Sequence, residues 1–458
     1  MTVLAHAFGA RYELPIPLYL FVLGGGLVVI LSFLIVSRRA ATAVTPEAEV
    51  VDGSYLRPLH PVAGTIAVLW FGFLCWCGLA GSQETAENLI DTFFWILVWV
   101  GVPLSCALLG DWTQPVNPFA FVAKLADRPG LRKALLGSPD PVRWPDWLAW
   151  WPAVVLFFLS VLAELIYNLT WTIPHVIATA LAIYAGFSAL MGMLFGREWL
   201  RRGEMFTVLL DTWGRLGWFR FGAPGRRRFG GGLERPFAPQ VSRVVFVLLM
   251  LLNVNFDGLL STPQWASVKR DLPTSWATSA SRLHTFDTLA FVAMAIVLAA
   301  VILTFAHASA IAGEHRTGPL GSLTGLLPSL LPIAFGYLFA HYLEYILING
   351  QLMLPLIGNP PGLESWPIHL PYPFNDDYEV HPNFLPSAFY WYVALGVIIA
   401  VHVAAVVLAH RHLVRIGATE RLRLRSEYPW LVAMVGYTCL SLWLLAQPLI
   451  NETSSTSG

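Results

Sequence analysis

Charged residues are scarce in this chain of 458 residues. They make up 12% of it, whereas soluble globular proteins carry about 25%. Apolar residues make up 56%, and the mean hydropathy is +0.62. These values exclude an ordinary soluble globular domain. The formal net charge is zero, so the overall charge does not favour binding to nucleic acid.

Cysteine and catalytic motifs are also scarce. The four cysteines, Cys75, Cys77, Cys106 and Cys439, lie in apolar runs and form no CxxC motif. This pattern excludes a disulfide framework and predicts small buried side chains. The sequence contains no G-x-S-x-G, no H-E-x-x-H, no phosphate loop and no nucleotide-binding glycine fingerprint.

Long apolar runs are what the sequence does contain. A helix needs about 20 apolar residues to cross a bilayer. These runs are continuously apolar and do not alternate, which excludes a β-barrel. The predicted fold class is therefore all-α, a polytopic transmembrane bundle of about ten helices that forms a single integral membrane domain over 1–458. The predicted spans lie near 15–36, 61–80, 90–109, 147–167, 174–195, 241–260, 287–308, 326–348, 389–410 and 430–450.

The distribution of positive charge predicts that both termini lie outside. With this topology, 24 of the 28 Lys and Arg residues fall in inner segments. The four outer ones are Arg11, Lys269, Arg270 and Arg282. Arg greatly outnumbers Lys, and Ala, Gly, Pro and Trp are abundant, which is typical of a GC-rich bacterial genome. The predicted location is the bacterial inner membrane, with the lipid bilayer as the main partner.

The longest inner segment is basic and aromatic. Residues 197–218 mix four Arg with three Trp, which predicts an amphipathic helix lying on the inner leaflet. The basic linker 225–232 follows it. We interpret this linker as a topology determinant attracted to anionic lipid, and no nucleic-acid partner is expected.

Ionisable residues near the outer ends of the spans are candidate functional residues, because each is unfavourable in lipid unless paired or hydrated. Asp257 closes the sixth span, His284 and Asp287 open the seventh, and His341 and Glu344 lie in the eighth. We expect Asp257, Asp287, His341 and Glu344 to converge beneath the loops 261–286 and 349–388. Other polar residues in the outer half are His6, Asp91, Glu164, Asn168, Asn253, Asn255, Asn349 and Gln351.

These residue types allow more than one role. His and carboxylate side chains converging from several helices are how helical bundles build metal sites, and N and O ligands suit a divalent transition metal. His341, His284 and Glu344 are then the candidate metal ligands, with Asp257, Asp287 and Glu344 as candidate catalytic groups. A second interpretation is that these residues only neutralise one another. A third is an ion or substrate pathway.

Three histidines lie towards the inner ends of their spans. They are His307, His402 and His410. His307 and His402 are a conceivable pair of axial haem ligands, although their depths differ by roughly two helical turns. The simpler interpretation is histidines that are hydrogen-bonded or reach the interface.

Several stretches of the sequence resemble one protein family along nearly the whole chain. The chain is similar to the bacterial polytopic membrane proteins known as fenitrothion hydrolases. The stretches are 5–15, 110–118 (GDWTQPVNP), 196–204 (GREWLRRGE), 256–258, 341–351 and 401–410.

The resemblance implies hydrolysis of a lipophilic organophosphorus triester that reaches its site from the bilayer. A metal would activate the attacking water, with ligands and a general base drawn from His284, Asp287, His341, Glu344 and Asp257. The residues themselves leave two other hypotheses open. One is a transporter or channel that uses Asp257, Asp287, His341 and Glu344 as a cation or proton path. The other is a membrane subunit of a larger complex that carries metal or haem together with partner subunits.

Overall fold

The computed structural model describes residues 18–37, 61–221, 229–416 and 419–450. His6, the stretch 5–15, the start of the first predicted span and much of the basic linker lie outside the described residues. The described residues form helices and no β-strand, which confirms the predicted all-α class.

The helices are bounded as follows. In the first half they are α1 (Leu18–Ser37), α2 (Pro61–Ala80), α3 (Leu89–Thr92), α4 (Val102–Leu109), α5 (Pro118–Ala126), α6 (Pro129–Leu136), α7 (Trp151–Leu165), α8 (Asn168–Trp171), α9 (Pro174–Phe195) and α10 (Met205–Gly214). In the second half they are α11 (Val241–Leu260), α12 (Pro263–Arg270), α13 (Thr274–Ala277), α14 (Ala280–Ala312), α15 (Pro319–Leu326), α16 (Leu330–Asn349), α17 (Met353–Gly358), α18 (Ser387–Ile416) and α19 (Glu420–Ile450). Short π-helices cover Phe93–Gly101 and Trp199–Gly203, and 3₁₀ turns cover Gly231–Leu233, Leu327–Ser329 and Gly350–Leu352.

Many of these helices are long and apolar enough to cross a membrane. Among the described residues, eight stretches meet this criterion by length and composition. They are Pro61–Ala80, Leu89–Leu109, Pro174–Phe195, Val241–Leu260, Ala280–Ala312, Pro319–Gly358, Ala388–Ile416 and Glu420–Ala446. Two shorter apolar helices, Val22–Ser37 and Trp151–Leu165, fall within the first and fourth predicted spans. The chain is an integral, multi-pass membrane protein, and the orientation of its termini stays a prediction.

The chain divides into two compact units, although no boundary was predicted from the sequence. The first unit comprises the described residues within Ala48–Gly231 and Tyr345–Phe384. The second comprises those within Phe8–Glu47, Gly232–Glu344 and Leu385–Gly458. Each unit is therefore built from segments that are distant in the sequence.

In the first unit, α9 packs against both α2 and α5. The contact with α5 is close because of Gly192. A Cβ added there would lie 2.4 Å from the carbonyl oxygen of Ala123. Small residues allow helix backbones in membranes to approach and gain van der Waals contact. Gly192 thus fixes the distance between α5 and α9.

The segment 197–218 differs from the single amphipathic helix that the sequence predicts. It forms the π-helix Trp199–Gly203 and then α10. Glu204 separates them, because its backbone is extended and its carboxylate accepts the N–H groups of Phe206 and Thr207 as the N-cap of α10. Nine of the ten residues of α10 are buried, and the helix packs on α4 and α7. The aromatic and apolar side chains of α10 therefore form part of the core of the first unit.

A π-helix also interrupts the third predicted span. Residues Phe93–Gly101 are wound more widely than an α-helix, and the Val102 N–H reaches back to the carbonyl of Leu97. Pro103 follows directly and cannot donate to the carbonyl four residues earlier, which favours this wider winding.

In the second unit, α11 and the segment containing α16 are the most enclosed. Residues are buried over 83% of the apolar window of α11 and 89% of that in Pro319–Gly358. Helix α19 packs against α1, α11, α14 and α18. A side chain on the C-terminal half of α11 therefore meets protein on nearly every side, and Asn253, Asn255 and Asp257 are all buried there.

Candidate functional site

The second unit joins two of the predicted site residues directly. Asp257 on α11 and His341 on α16 are each 6% exposed, and Nε2 of His341 lies 2.7 Å from Oδ2 of Asp257. The Tyr342 hydroxyl donates to the same carboxylate oxygen at 3.2 Å. An imidazole and a carboxylate thus form a hydrogen-bonded ion pair inside an apolar helical unit.

Aromatic rings enclose this pair. The His341 ring stacks on Tyr337 with centroids 6.1 Å apart, and its edge meets Tyr342 at 4.7 Å. Gly258 makes room for Tyr337, since a Cβ at Gly258 would lie 2.7 Å from the Tyr337 hydroxyl. That hydroxyl is buried and has no hydrogen-bond partner among the described residues. The rings lower the local polarity around the pair and strengthen its electrostatic interaction.

A second polar group lies on the side of α11 that faces α19. The Asn255 amide donates to the Tyr437 hydroxyl at 2.5 Å, and Ser441 donates to Oδ1 of Asn255 at 3.1 Å. Tyr437 in turn donates to the carbonyl oxygen of Leu251. Tyr337 lies within electrostatic range of both Asp257 and Tyr437. Tyr337 therefore lies near both the Asp257–His341 pair and the Asn255 group.

Asp287 has partners of its own. Its carboxylate accepts from Nε1 of Trp265 and from Nζ of Lys269, each at 2.9 Å. Both donors are on α12, and Trp265 also stacks on Phe286. Asp287 is 5% exposed, so Lys269 neutralises a buried charge. Of the four residues predicted to converge, Asp257 and His341 are therefore in contact, Asp287 pairs separately with Lys269, and Glu344 belongs to neither pair.

The predicted metal ligands do not form a donor set. Among the described residues, no group of three or more His, Cys, Asp or Glu side chains is arranged to hold a metal ion. His341 uses Nε2 on Asp257, and His284 is half-buried at the start of α14. Glu344 is half-buried one turn after His341, and its Oε1 has no hydrogen-bond partner among the described residues. The set of His341, His284 and Glu344 therefore does not fit a metal centre as the side chains lie here.

The inner histidines have separate environments. His307 is exposed, whereas His402 is buried and its Nδ1 lies 2.6 Å from the carbonyl oxygen of Ile398 on its own helix. Because the two rings differ so much in exposure, they do not resemble a pair of axial haem ligands. His410 pairs with Glu427, Nδ1 to Oε1, at 2.8 Å. Glu427 was not among the residues singled out from the sequence.

Two of the sequence stretches that carry the family resemblance meet in the first unit. Asn117, from GDWTQPVNP, donates to Oε2 of Glu204, from GREWLRRGE, at 3.1 Å. Glu204 also accepts hydrogen bonds from Tyr184 and Thr207. These contacts join α10 to α9 and to the loop before α5, so this junction is structural.

Asp111 lies beside that junction, outside the membrane-spanning segments. Burial raises the pKa of its carboxyl, and hydrogen bonds from Thr113 and Gln114 offset part of this rise. Thr113 donates both its N–H and its hydroxyl to Oδ1, and Gln114 donates to Oδ2. The Asp111 carboxylate therefore holds the loop that follows α4.

Comparisons with known proteins give no relative. No protein-family model, no curated protein and no solved structure matches this chain.

Proposed function

We propose that this integral membrane protein exchanges protons for cations, with the Asp257–His341 pair as the proton-binding site. The observation that carries the proposal is the 2.7 Å contact between these two side chains inside the second unit. Ionisable groups within membrane segments are unfavourable, and they often mark proton relays or ion pathways.

Charge balance gives the direction of coupling. With one proton shared between carboxylate and imidazole, the pair is neutral or a zwitterion, which suits a medium of low polarity. If that proton leaves, the pair carries one net negative charge in an apolar enclosure. A monovalent cation that enters the site restores neutrality. Proton release and cation binding therefore support each other, and exchange of one for the other follows.

The surrounding hydroxyls supply a route for the proton. Tyr342 already donates to Asp257, and Tyr337 lies within electrostatic range of both Asp257 and Tyr437. Tyrosine hydroxyls both donate and accept hydrogen bonds, so they can pass a proton along a chain. Asn255 and Ser441 hold the Tyr437 hydroxyl in place through the hydrogen bonds between α11 and α19.

A flux assay in proteoliposomes tests the proposal. Vesicles loaded with NaCl or KCl and a pH-sensitive dye are diluted into cation-free buffer. The outward cation gradient is expected to draw protons inward and acidify the lumen. The variants Asp257→Asn and His341→Gln should reduce this signal to the level of empty vesicles.

Two matched controls make the same chemical changes on exposed side chains. They are Asp271→Asn and His369→Gln, and both should keep the flux of the unmodified protein. The proposal is contradicted if the unmodified protein moves no protons under either gradient. It is equally contradicted if Asp257→Asn and His341→Gln transport normally.

A second candidate function is hydrolysis of lipophilic organophosphorus triesters. The family resemblance supports it, and so does the Asp257 carboxylate, which orients His341 as a general base would be oriented. In this reaction the oxygen of water bonds to phosphorus, the aryloxide leaves, and the His341 imidazole takes the proton of water. Release of nitrophenol from a nitrophenyl phosphotriester, lost in His341→Gln, would support this candidate.

A further inference from the structure

A second buried His–carboxylate pair lies elsewhere in the same unit, between α18 and α19. His410 and Glu427 are 4% and 3% exposed. Their contact uses Nδ1 of His410 and Oε1 of Glu427. The other polar atom of each side chain, Nε2 of His410 and Oε2 of Glu427, is buried and has no hydrogen-bond partner among the described residues. A buried polar atom without a partner is destabilising, so it calls for a partner.

Both side chains line a small cavity. Its other walls are apolar and include Phe33, Val406, Trp430 and Met434. The cavity has room for about one water molecule. Buried waters in proteins sit where two or more polar groups lack partners. One water here can accept from or donate to Nε2 of His410 and donate to Oε2 of Glu427.

An arginine lies close to Glu427, and other arginines of the region have separate partners. Nε of Arg423 lies 3.7 Å from Oε1 of Glu427, and Nη2 of Arg423 lies 3.7 Å from Glu420. Two further arginines of α18, Arg411 and Arg415, bind Glu234.

His412 occupies a different part of α18. A Cβ added at Gly325 on α15 would lie 2.3 Å from Nε2 of His412, and His315 is also close to His412. Of the described residues that line the cavity, His410 and Glu427 are the titratable ones.

We propose that His410 and Glu427 hold one water molecule and form a second proton-binding site at the end of the second unit where α18 meets α19. This inference rests on the proposed proton exchange, for which it supplies an entry point on the side that the basic residues predict to be cytoplasmic. A proton that arrives as hydronium moves to Nε2 of His410 and leaves the water in place. Glu427 balances the imidazolium charge through the Nδ1–H hydrogen bond.

Infrared difference spectroscopy tests the site without any transport. Full-length protein in lipid nanodiscs is taken from high to low pH, in H₂¹⁶O and then in H₂¹⁸O. We expect one water band that shifts with ¹⁸O, together with an imidazolium band. Both bands should disappear in His410→Gln, and the water band should shift or disappear in Glu427→Gln. Glu364→Gln, an exposed carboxylate, is the matched control and should change neither band.

Three outcomes separate the site from the transport function. If no ¹⁸O-sensitive band occurs in the unmodified protein, or if the band persists in both variants, the site is refuted. If the bands behave as expected but the vesicles show no proton flux, the site stands and proton exchange fails.

If the bands behave as expected and the vesicles show proton flux, His410→Gln should slow the flux at saturating cation about tenfold or more and leave the cation KM unchanged. Asp257→Asn should keep the water band, and this result would show that the two sites are separate even if His410→Gln folds poorly.

Discussion

Asp257 and Asp287 are buried aspartates on the neighbouring helices α11 and α14, but their partners give them different chemistry. Asp287 meets the ammonium group of Lys269 and forms an ion pair with it. Asp257 meets the imidazole of His341, and imidazole is the side chain that most often serves as a general acid or base. Of the two aspartates, Asp257 is therefore the one whose partner suits proton exchange.

The Asp287–Lys269 pair gives a prediction about single residues. Lys269→Met should lower the free energy of unfolding by about 2–3 kcal/mol, because it leaves Asp287 buried without its cation. The loss is somewhat below that of a fully buried pair, since Lys269 is 29% exposed. Proton flux should persist. Thermal unfolding in detergent measures the change, and the double variant Lys269→Met/Asp287→Asn should regain part of the stability. An equal loss in both variants would contradict the assigned role.

At the scale of elements, close approach between helices decides where side chains meet. In the first unit Gly192 allows α9 to touch the backbone of α5, and in the second Gly258 allows Tyr337 to reach α11. The stretches GDWTQPVNP and GREWLRRGE are joined through Asn117 and Glu204, which end one element and begin the next. Within lipid the hydrophobic effect does not drive helices together, because lipid tails are as apolar as the helices. Polar junctions of this kind therefore help to position the helices.

Gly192 offers a test with an internal control. Gly192→Ala should destabilise the protein by about 1–3 kcal/mol, because the new methyl group overlaps the Ala123 carbonyl. Gly186→Ala lies on the same helix, where an added Cβ meets nothing within 4 Å, and should be neutral or slightly stabilising. Unfolding midpoints of the two variants in detergent are compared. Equal midpoints would show that α5 and α9 are not in close contact.

The elements that were hardest to predict are those whose roles depend on tertiary contacts. Apolar length predicts a helix wherever it occurs, so the helical class and most candidate spans follow from the sequence. The segment 197–218 shows the limit of this approach, because its alternating Arg and Trp residues fit an interfacial helix as well as they fit a buried α10. Only the packing of α10 on α4 and α7 distinguishes the two.

For the whole molecule, shared depth in the membrane predicted part of the site. Asp257 and His341 were grouped by depth, and they are in contact. Lys269 was missed as the partner of Asp287, because it approaches from α12 across the loop. Glu427 was missed too, although a signal existed. The distance along the helix from His410 to the end of α18 is nearly the same as that from the start of α19 to Glu427. Two antiparallel helices therefore place these residues at the same depth.

The two sites lie in the second unit, one on α11 and α16 and the other on α18 and α19. Asp257 lies near the C-terminal end of α11 and His341 just past the middle of α16, whereas His410 and Glu427 lie near the facing ends of α18 and α19. The predicted topology places these two groups towards opposite faces of the membrane. This arrangement suits a protein that takes up a proton on one side and releases it on the other.

The most direct test of proton exchange is proton release on cation binding by the purified protein. Full-length protein in weakly buffered detergent solution, with a pH indicator, receives NaCl or KCl, and choline chloride corrects for ionic strength. The account predicts release of about one proton per chain, and none from Asp257→Asn, while Asp271→Asn releases the same amount as the unmodified protein. No release from the unmodified protein with either salt, or undiminished release from Asp257→Asn, would contradict the account.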